Sequence, residues 1–182
     1  MGMSGDFTAG AAPAGSAETH MAPVPSRLPD EAERTALLQA AGVPEHLHGL
    51  MGPHGVAPLG RKMGLHFEEM TPERVVATLP VAGNEQNMGL FHGGAHMVLA
   101  ETLGSLAAIL HVRLTLGLPN AVVGTELGAT HHRAVTDGVV TGTCTPITLG
   151  RTLTSHEIVM RDEQGRRLST ARMTNIILTR RD

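Results

Sequence analysis

Aromatic residues are scarce in this sequence, which has no tryptophan, no tyrosine and three phenylalanines among 182 residues. A hydrophobic core must therefore be filled by aliphatic side chains, alanine and the ten methionines. Positive charge is also scarce, because the formal net charge is -3 and no run of lysine and arginine is longer than a pair. Since nucleic-acid binding needs a basic patch, we expect no nucleic-acid partner.

Cysteine and long apolar runs are nearly absent as well. Cys144 is the single cysteine, so no internal disulfide can form. The N-terminus lacks the charged and apolar regions of a secretory signal, and we therefore expect a soluble, cytoplasmic protein. The most apolar window, residues 97–110, contains Glu101 and is shorter than the roughly 20 residues of a membrane span. We expect no membrane span.

Several motifs of catalysis and cofactor binding are missing too. The sequence has no Gly-x-Ser-x-Gly elbow, no Gly-x-Gly-x-x-Gly run and no Walker-type loop. His92 and His96 have the spacing of a helical zinc pair, but eleven histidines are scattered along the chain and no His-Glu-x-x-His pattern occurs. Cys144 lies in an alternating strand pattern, which indicates packing. We expect no metal and no bound cofactor.

Composition divides the chain into three parts. Residues 1–29 are rich in Ala, Gly, Pro and Ser, and we expect them to form a disordered tail. Residues 30–59 begin with a short amphipathic helix, for which Asp30 is a possible N-cap and Gly42 a stop, and continue as a Gly/Pro/His-rich connector. Residues 60–182 form the remaining domain.

The pattern of that domain is two strands, one long apolar helix and four more strands. The predicted strands cover residues 63–70, 74–79, 121–135, 138–149, 152–161 and 167–180, and the predicted helix covers residues 93–114. Asp137-Gly138 and residues 162–165 predict tight hairpins, so neighbouring strands are antiparallel. We expect an α+β fold in which an antiparallel five- to six-stranded sheet wraps around one long central helix.

The densest set of candidate functional residues, positions 86–105, straddles the start of this helix. Gly93 and Gly94 leave first-turn N–H groups uncovered, and these groups carry the positive end of the helix dipole. Gly93 could therefore donate to a developing oxyanion, with His92 beside it. The alternative is that the two glycines only permit close packing between helix and strand.

Glu101 interrupts the apolar stripe of the same helix. A carboxylate there costs several kcal/mol unless it is paired, protonated or facing a wet cleft, which makes it a candidate general base. Ser105 lies one turn further along the same face, so one water could be held between the two side chains. The alternatives are a salt bridge from Glu101 to a strand arginine, simple exposure, and a Ser105 hydroxyl bonded to the helix carbonyl four residues back.

The spacing of these groups requires a second copy of the chain. Gly93 and Glu101 are eight residues apart, which is about 12 Å along a helix. One helix cannot bring both groups to the same carbon atom. If two central helices pair antiparallel, Gly93 of one copy meets Glu101 of the other, and two equivalent sites form. A homodimer is thus a requirement of this hypothesis.

The run Gly89-x-x-His92-Gly93-Gly94, followed by an acidic residue nine positions after the histidine, resembles the signature of the hotdog-fold thioesterases. The resemblance is to the branch of phenylacetate-pathway and 4-hydroxybenzoyl-CoA thioesterases, and the element order is similar from about residue 60 to residue 180. It implies a hotdog fold and the hydrolysis of an acyl-CoA or carrier-protein thioester. Position 101 is Glu rather than Asp, and in this it resembles the subgroup that acts on aryl thioesters. The resemblance implies a substrate with an aryl or medium-size acyl group.

The resemblance also implies roles for individual residues. Glu101 would be the general base or nucleophile, Gln86 and Ser105 would hold the water, and His92 and Gly93 would polarise the thioester. Coenzyme A would be part of the substrate rather than a cofactor. The candidates for binding its phosphates lie in Thr130-His131-His132-Arg133 and Gly150-Arg151-Thr152, namely His131, Arg133 and Arg151.

Two other functions remain open for the same fold. One is a non-catalytic acyl-CoA-binding protein, which the absence of an output segment disfavours. The other is a hydratase or dehydratase that acts on a β-carbon. Pairing of dimers into a homotetramer is a further possibility.

Overall fold

The computed structural model describes residues 27–178. Positions 1–26 of the predicted tail lie outside the described residues. The helices are α1 (Glu31–Ala40), α2 (Pro58–Lys62) and α3 (Gly93–Leu110), with a 3₁₀ turn at Glu45–Leu50 and a π-helical turn at His111–Thr115. The strands are β1 (His66–Met70), β2 (Val75–Pro80), β3 (Val122–His131), β4 (Val139–Leu149), β5 (Leu153–Arg161) and β6 (Arg167–Ile177).

All six strands form one antiparallel sheet in the order β1-β2-β4-β5-β6-β3. Helix α3 packs against β2 to β6, so the sheet curls around a central helix. This arrangement confirms the predicted α+β hotdog architecture. Strands β1 and β3 are the edges of the sheet, and β3 has an edge to which no other described strand pairs.

The centre of the core is the contact between α3 and the middle of the sheet. Leu99 and Leu103 are fully buried, and burial of each such side chain contributes about 1.5–3 kcal/mol. They pack directly over Gly142 of β4, where an added Cβ would lie 2.8 Å from Leu103 Cδ1. The glycine therefore lets the leucines of the helix approach the sheet closely.

By length and composition, residues 93–115 are apolar enough to cross a membrane. However, 56% of the most apolar stretch of this segment is buried inside the protein. It is the core helix of the hotdog fold.

The segment before the sheet begins with a capped helix. Asp30 accepts a hydrogen bond from the backbone N–H of Glu33, and the Glu33 side chain accepts one from the N–H of Asp30, which is a complete capping box. Gly42 follows the helix with φ of +76°. Leu38 and Leu47 belong to the same hydrophobic cluster as α3 and the sheet. The division between residues 30–59 and 60–182 stays a prediction.

Two predicted strand boundaries were wrong, whereas the predicted extent of the central helix is confirmed. The first strand begins at His66 rather than at residue 63, because Pro58 starts the short helix α2 and Gly64 turns the chain at φ of +77°. Helix α3 is α-helical to Leu110 and continues as a π turn to Thr115, so the predicted helix over residues 93–114 is confirmed. Strand β3 ends at His131, four residues before the predicted end.

Candidate active site

A cavity of about 410 Å³ lies at the N-terminal end of α3, and we call it the entrance cavity. Its lining combines hydrogen-bonding groups with a few apolar side chains: Gln86, Leu90, Phe91, Gly93, His96, His131, His132, Arg133 and Ala134. Four of the sequence-predicted site residues, Gln86, Gly93, His131 and Arg133, are therefore brought together in one chain. The cavity is rich in donors and suits an oxygen-bearing or anionic group.

The N–H of Gly93 is the first free donor of α3. No backbone acceptor for this group is present in the described part of the chain, as expected for the first residue of a helix. The helix start is held by Asn84, whose backbone oxygen accepts from His92 N at 2.9 Å and whose side-chain amide donates to Met63 O and Pro80 O. Our sequence interpretation missed Asn84, since a loop asparagine gives no signal of its partners.

His92 is the N-cap of α3. Its Nδ1 accepts a hydrogen bond from Gly94 N at 2.7 Å, so the neutral ring carries its proton on Nε2. The exposed ring lines a different cavity, of about 370 Å³, together with Met63, Asn84 and Gly94. The structure therefore places His92 next to Gly93 in sequence but outside the entrance cavity.

Gln86 stands at the loop before α3. Its side-chain Oε1 accepts from Met88 N at 2.6 Å, and its backbone N–H donates to Leu90 O, which shapes a tight loop over the entrance cavity. Its amide N–H₂ has no hydrogen-bond partner within residues 27–178. Within one chain Gln86 therefore lies near Gly93 and not beside Glu101, so the water-holding role predicted for it would be performed at the Gly93 end of the helix.

Glu101 and Ser105 line a second cavity, of about 300 Å³, which we call the Glu101 groove. The Ser105 hydroxyl donates to Glu101 Oε1 at 3.4 Å, and no ion pair of Glu101 is present in the described chain. The other groove residues are mostly apolar: Met51, Gly55, Val56, Ala57, Leu65, Phe67, Thr102, Leu106 and Ile109. A carboxylate and a hydroxyl thus lie at the side of an apolar slot.

Glu101 is exposed in a single chain, which is one of the alternatives that the sequence left open. The physical reason is that Glu101 lies on the flank of α3 beside β3, the open edge of the sheet. Its Oε1 would be 3.1 Å from a Cβ built on Gly124 of β3. Gly124 therefore makes room for the carboxylate, a role that a glycine within a strand pattern could have suggested.

Within one chain the two halves of the predicted site remain separate. Gly93 lines the entrance cavity and Glu101 lines the groove, about 12 Å apart along α3. Arg151 is also separate from His131 and Arg133. Its neighbour Gly150 accepts a hydrogen bond from His111 Nε2 at 3.0 Å, just beyond the C-terminal end of α3.

Two alternative uses of the sequence are not supported by the geometry. His92 and His96 line different cavities, and residues 27–178 contain no group of three or more His, Cys, Asp or Glu side chains that could hold a metal. Cys144 is buried in β4, and burial raises the pKa of its thiol to about 12. Such a thiol is inert at neutral pH.

Both the sequence and the fold resemble thioesterases. The thioesterase superfamily model matches residues 88–169, which include α3 and β3 to β5. The proofreading thioesterase EntH of Cronobacter turicensis is 44% identical over 124 residues, which cover 68% of this chain and 88% of that protein. The crystal structure of a thioesterase from Haemophilus influenzae is 33% identical with a TM-score of 0.62, and the match covers 66% of this chain and 82% of that chain. A mutant thioesterase from Pseudomonas aeruginosa is 30% identical with a TM-score of 0.63 over 84% of this chain and 96% of that chain.

Proposed function

This chain belongs to the hotdog-fold thioesterase superfamily and is a thioester hydrolase, and on that premise we propose that it cleaves an acyl-CoA or acyl-carrier thioester at a site shared by two copies of the chain. The observation that carries this proposal is the separation of the two half-sites. A donor-rich cavity contains Gly93, and an apolar groove contains Glu101 and Ser105. Hydrolysis needs both a polarised carbonyl and an activated water at one carbon atom.

The reaction follows from these groups. Glu101 takes a proton from a water that is held by Ser105 of the same copy and Gln86 of the other copy, and the water oxygen attacks the thioester carbonyl carbon. The Gly93 N–H of the other copy stabilises the negative charge that develops on the carbonyl oxygen. His92 lines the neighbouring cavity and supports this helix start by accepting a hydrogen bond from Gly94 N. The C–S bond then breaks, and the leaving thiolate takes up the proton from Glu101. The products are a carboxylic acid and a free thiol.

The open edge of β3 supports the pairing of two copies. Its outer backbone N–H and C=O groups have no strand partner in the described chain, and such an edge is a template for pairing with another strand. Since Glu101 lies over Gly124 of β3, a second copy paired along this edge would cover the carboxylate. The proposed enzyme is therefore a homodimer, and two dimers could associate into a homotetramer.

The two cavities also support a substrate class. The Glu101 groove, at about 300 Å³ and with walls such as Val56, Phe67 and Leu106, suits an aryl or medium-size acyl group. Arg133, an exposed side chain at the entrance cavity, would bind phosphate of coenzyme A or of a phosphopantetheine arm. His131, whose Nε2 would lie 3.2 Å from a Cβ built on Gly93, would contact the substrate near the thioester rather than at its phosphates. Arg151 would have to reach the substrate from elsewhere in the assembly. Coenzyme A is part of this substrate, and we propose a cytoplasmic location.

The test is replacement of Glu101 by Gln with thiol release measured on benzoyl-CoA and hexanoyl-CoA. Loss of the general base should lower kcat at least about 100-fold while the thermal midpoint stays unchanged. Glu163→Gln, which removes an exposed carboxylate at the β5–β6 turn, is the matched control and should keep wild-type kinetics. Wild-type turnover by Glu101→Gln would contradict the assignment.

A further inference from the structure

His96 is a buried histidine on the first turns of α3 for which the reaction above has no use. It is 4% exposed, and its ring is fixed on three sides. Nδ1 lies 3.0 Å from the hydroxyl oxygen of Ser169, Phe91 packs edge-on at 4.8 Å between ring centroids, and the His131 ring lies at 5.0 Å. A side chain held in this way has one orientation and pays little entropy when it binds a ligand.

The contact with Ser169 fixes which nitrogen carries the proton. Ser169 is fully buried on β6, and its hydroxyl has no partner other than His96 Nδ1 among the described residues. If Nδ1 were the donor, the buried O–H would be left without an acceptor, and an unsatisfied buried donor is costly. The serine therefore donates to Nδ1, and the ring proton is on Nε2.

The Nε2 proton is available to a ligand. No hydrogen bond of Nε2 occurs within residues 27–178, and His96 lines the entrance cavity. Gly93 lines the same cavity and precedes His96 by three positions, so the two residues share one face of α3. One backbone donor and one imidazole donor thus open onto a single space of about 410 Å³.

The imidazole also stays uncharged in this place. Burial, together with the nearby His131, lowers the pKa of His96 to about 4. The ring is therefore a neutral donor through the ordinary working range of pH. His92 does not line this cavity, and its Nδ1 accepts a hydrogen bond from Gly94 N.

We propose that His96 is a catalytic hydrogen-bond donor that acts beside Gly93 on an acceptor oxygen of the bound thioester, with Ser169 as the positioning residue that fixes its tautomer. The inference rests on the proposed function, in which the thioester carbonyl enters the entrance cavity. The acceptor is either the acyl carbonyl or an amide carbonyl of the pantetheine arm. Both have the same chemistry, and substrates can separate them.

The main test is His96→Leu, which removes the donor at similar volume, measured beside His96→Gln, which retains an N–H donor. We expect kcat/KM of His96→Leu to fall about 100-fold and that of His96→Gln to recover at least part of the loss. His156→Leu is the matched control, since His156 is a fully buried histidine of β5 outside both cavities. It should keep wild-type kinetics. Equal activity of His96→Leu and wild type would overturn the proposal.

Two substrates identify the acceptor oxygen. His96→Leu is compared with the wild type on benzoyl-CoA and on S-ethyl thiobenzoate, which has no pantetheine amide. If His96 donates to the acyl carbonyl, kcat of the variant should fall on both substrates. A donor to the arm predicts a rise in KM for benzoyl-CoA alone. Either result supports the role, whereas a variant unchanged on both contradicts it.

A second readout does not depend on the folding of the leucine variant. In the wild-type protein, ¹⁵N NMR should show His96 protonated on Nε2 alone between about pH 6 and pH 8, and Ser169→Ala should add the other tautomer and lower kcat. A proton on Nδ1 in the wild type would overturn the proposal. Failure of the proposed function is distinct, because Glu101→Gln would then turn over normally whatever His96 does.

Discussion

The two ends of α3 each have a buried histidine, but only one of these rings has a use that the structure reveals. At the N-terminal end, His96 bonds to Ser169 and opens onto the entrance cavity. Near the C-terminal end, His111 bonds to Gly150, and the fully buried His156 has no hydrogen-bond partner for either ring nitrogen within the described chain. A buried imidazole can thus contribute to binding where it is oriented toward a ligand, and it destabilises the fold where its nitrogens lack hydrogen-bond partners.

Acid should destabilise the protein equally through His96 at one end of α3 and His156 near the other end. This is the largest effect that we expect on stability. Burial lowers the pKa of both His96 and His156 to about 4, the nearby His131 and His111 adding to the effect, whereas an unfolded histidine titrates near 6.5. Between these values the unfolded state binds more protons, so stability is full above pH 6.5 and is lost as the pH falls toward 4. Each group should cost on the order of 3 kcal/mol at pH 4.

Urea unfolding from pH 7.5 to pH 4.5 measures this loss. His156→Leu should remove about half of the acid-induced loss of unfolding free energy that the two histidines cause, and His96→Leu should remove the other half. If His156→Leu left the pH dependence unchanged, the ring would be protonated or solvated in the folded protein, and the two ends would not be equivalent in stability.

A smaller effect separates the two ends at neutral pH. His156→Leu replaces an unpartnered polar ring by an apolar side chain, and should stabilise the protein by about 1 kcal/mol. His96→Leu strands the Ser169 hydroxyl and should destabilise it by a similar amount. Thermal or urea unfolding at pH 7.5 compares the two variants, and destabilisation by His156→Leu would show that its nitrogens are satisfied after all.

Local patterns were sufficient for most of the fold. The helical spacing of apolar residues predicted α3, and strand alternation with Asp137-Gly138 and residues 162–165 predicted the order of the last four strands. Helix α2 was missed because it is short and contains both proline and glycine. The strand predicted at residues 63–70 wrongly included the turn that follows α2.

The sequence predicted the separation of Gly93 and Glu101 along α3 but not which cavity each of them lines. Gly93 and Glu101 were identified from helix chemistry and a family resemblance, and their roles remain predictions. Exposure of Glu101 was one of several alternatives that the sequence left open, because a periodic pattern does not reveal which flank of a helix lies at a sheet edge. The contact between His96 and Ser169 joins residues 73 positions apart, which no local pattern encodes.

The central claim is that each reaction centre is built from two copies of the chain. Its most direct test is to mix two inactive variants, Glu101→Gln and Gly93→Val, after dissociation and reassociation. A Cβ at Gly93 would already lie 3.2 Å from His131 Nε2, so valine should block the entrance cavity.

If the site is shared, half of the reassociated dimers carry one intact centre, and the mixture should recover about a quarter of wild-type activity. If Glu101 and Gly93 act within the same chain, every centre in the mixture remains defective. A mixture no more active than its two components, with subunit exchange demonstrated by mass, would contradict the account.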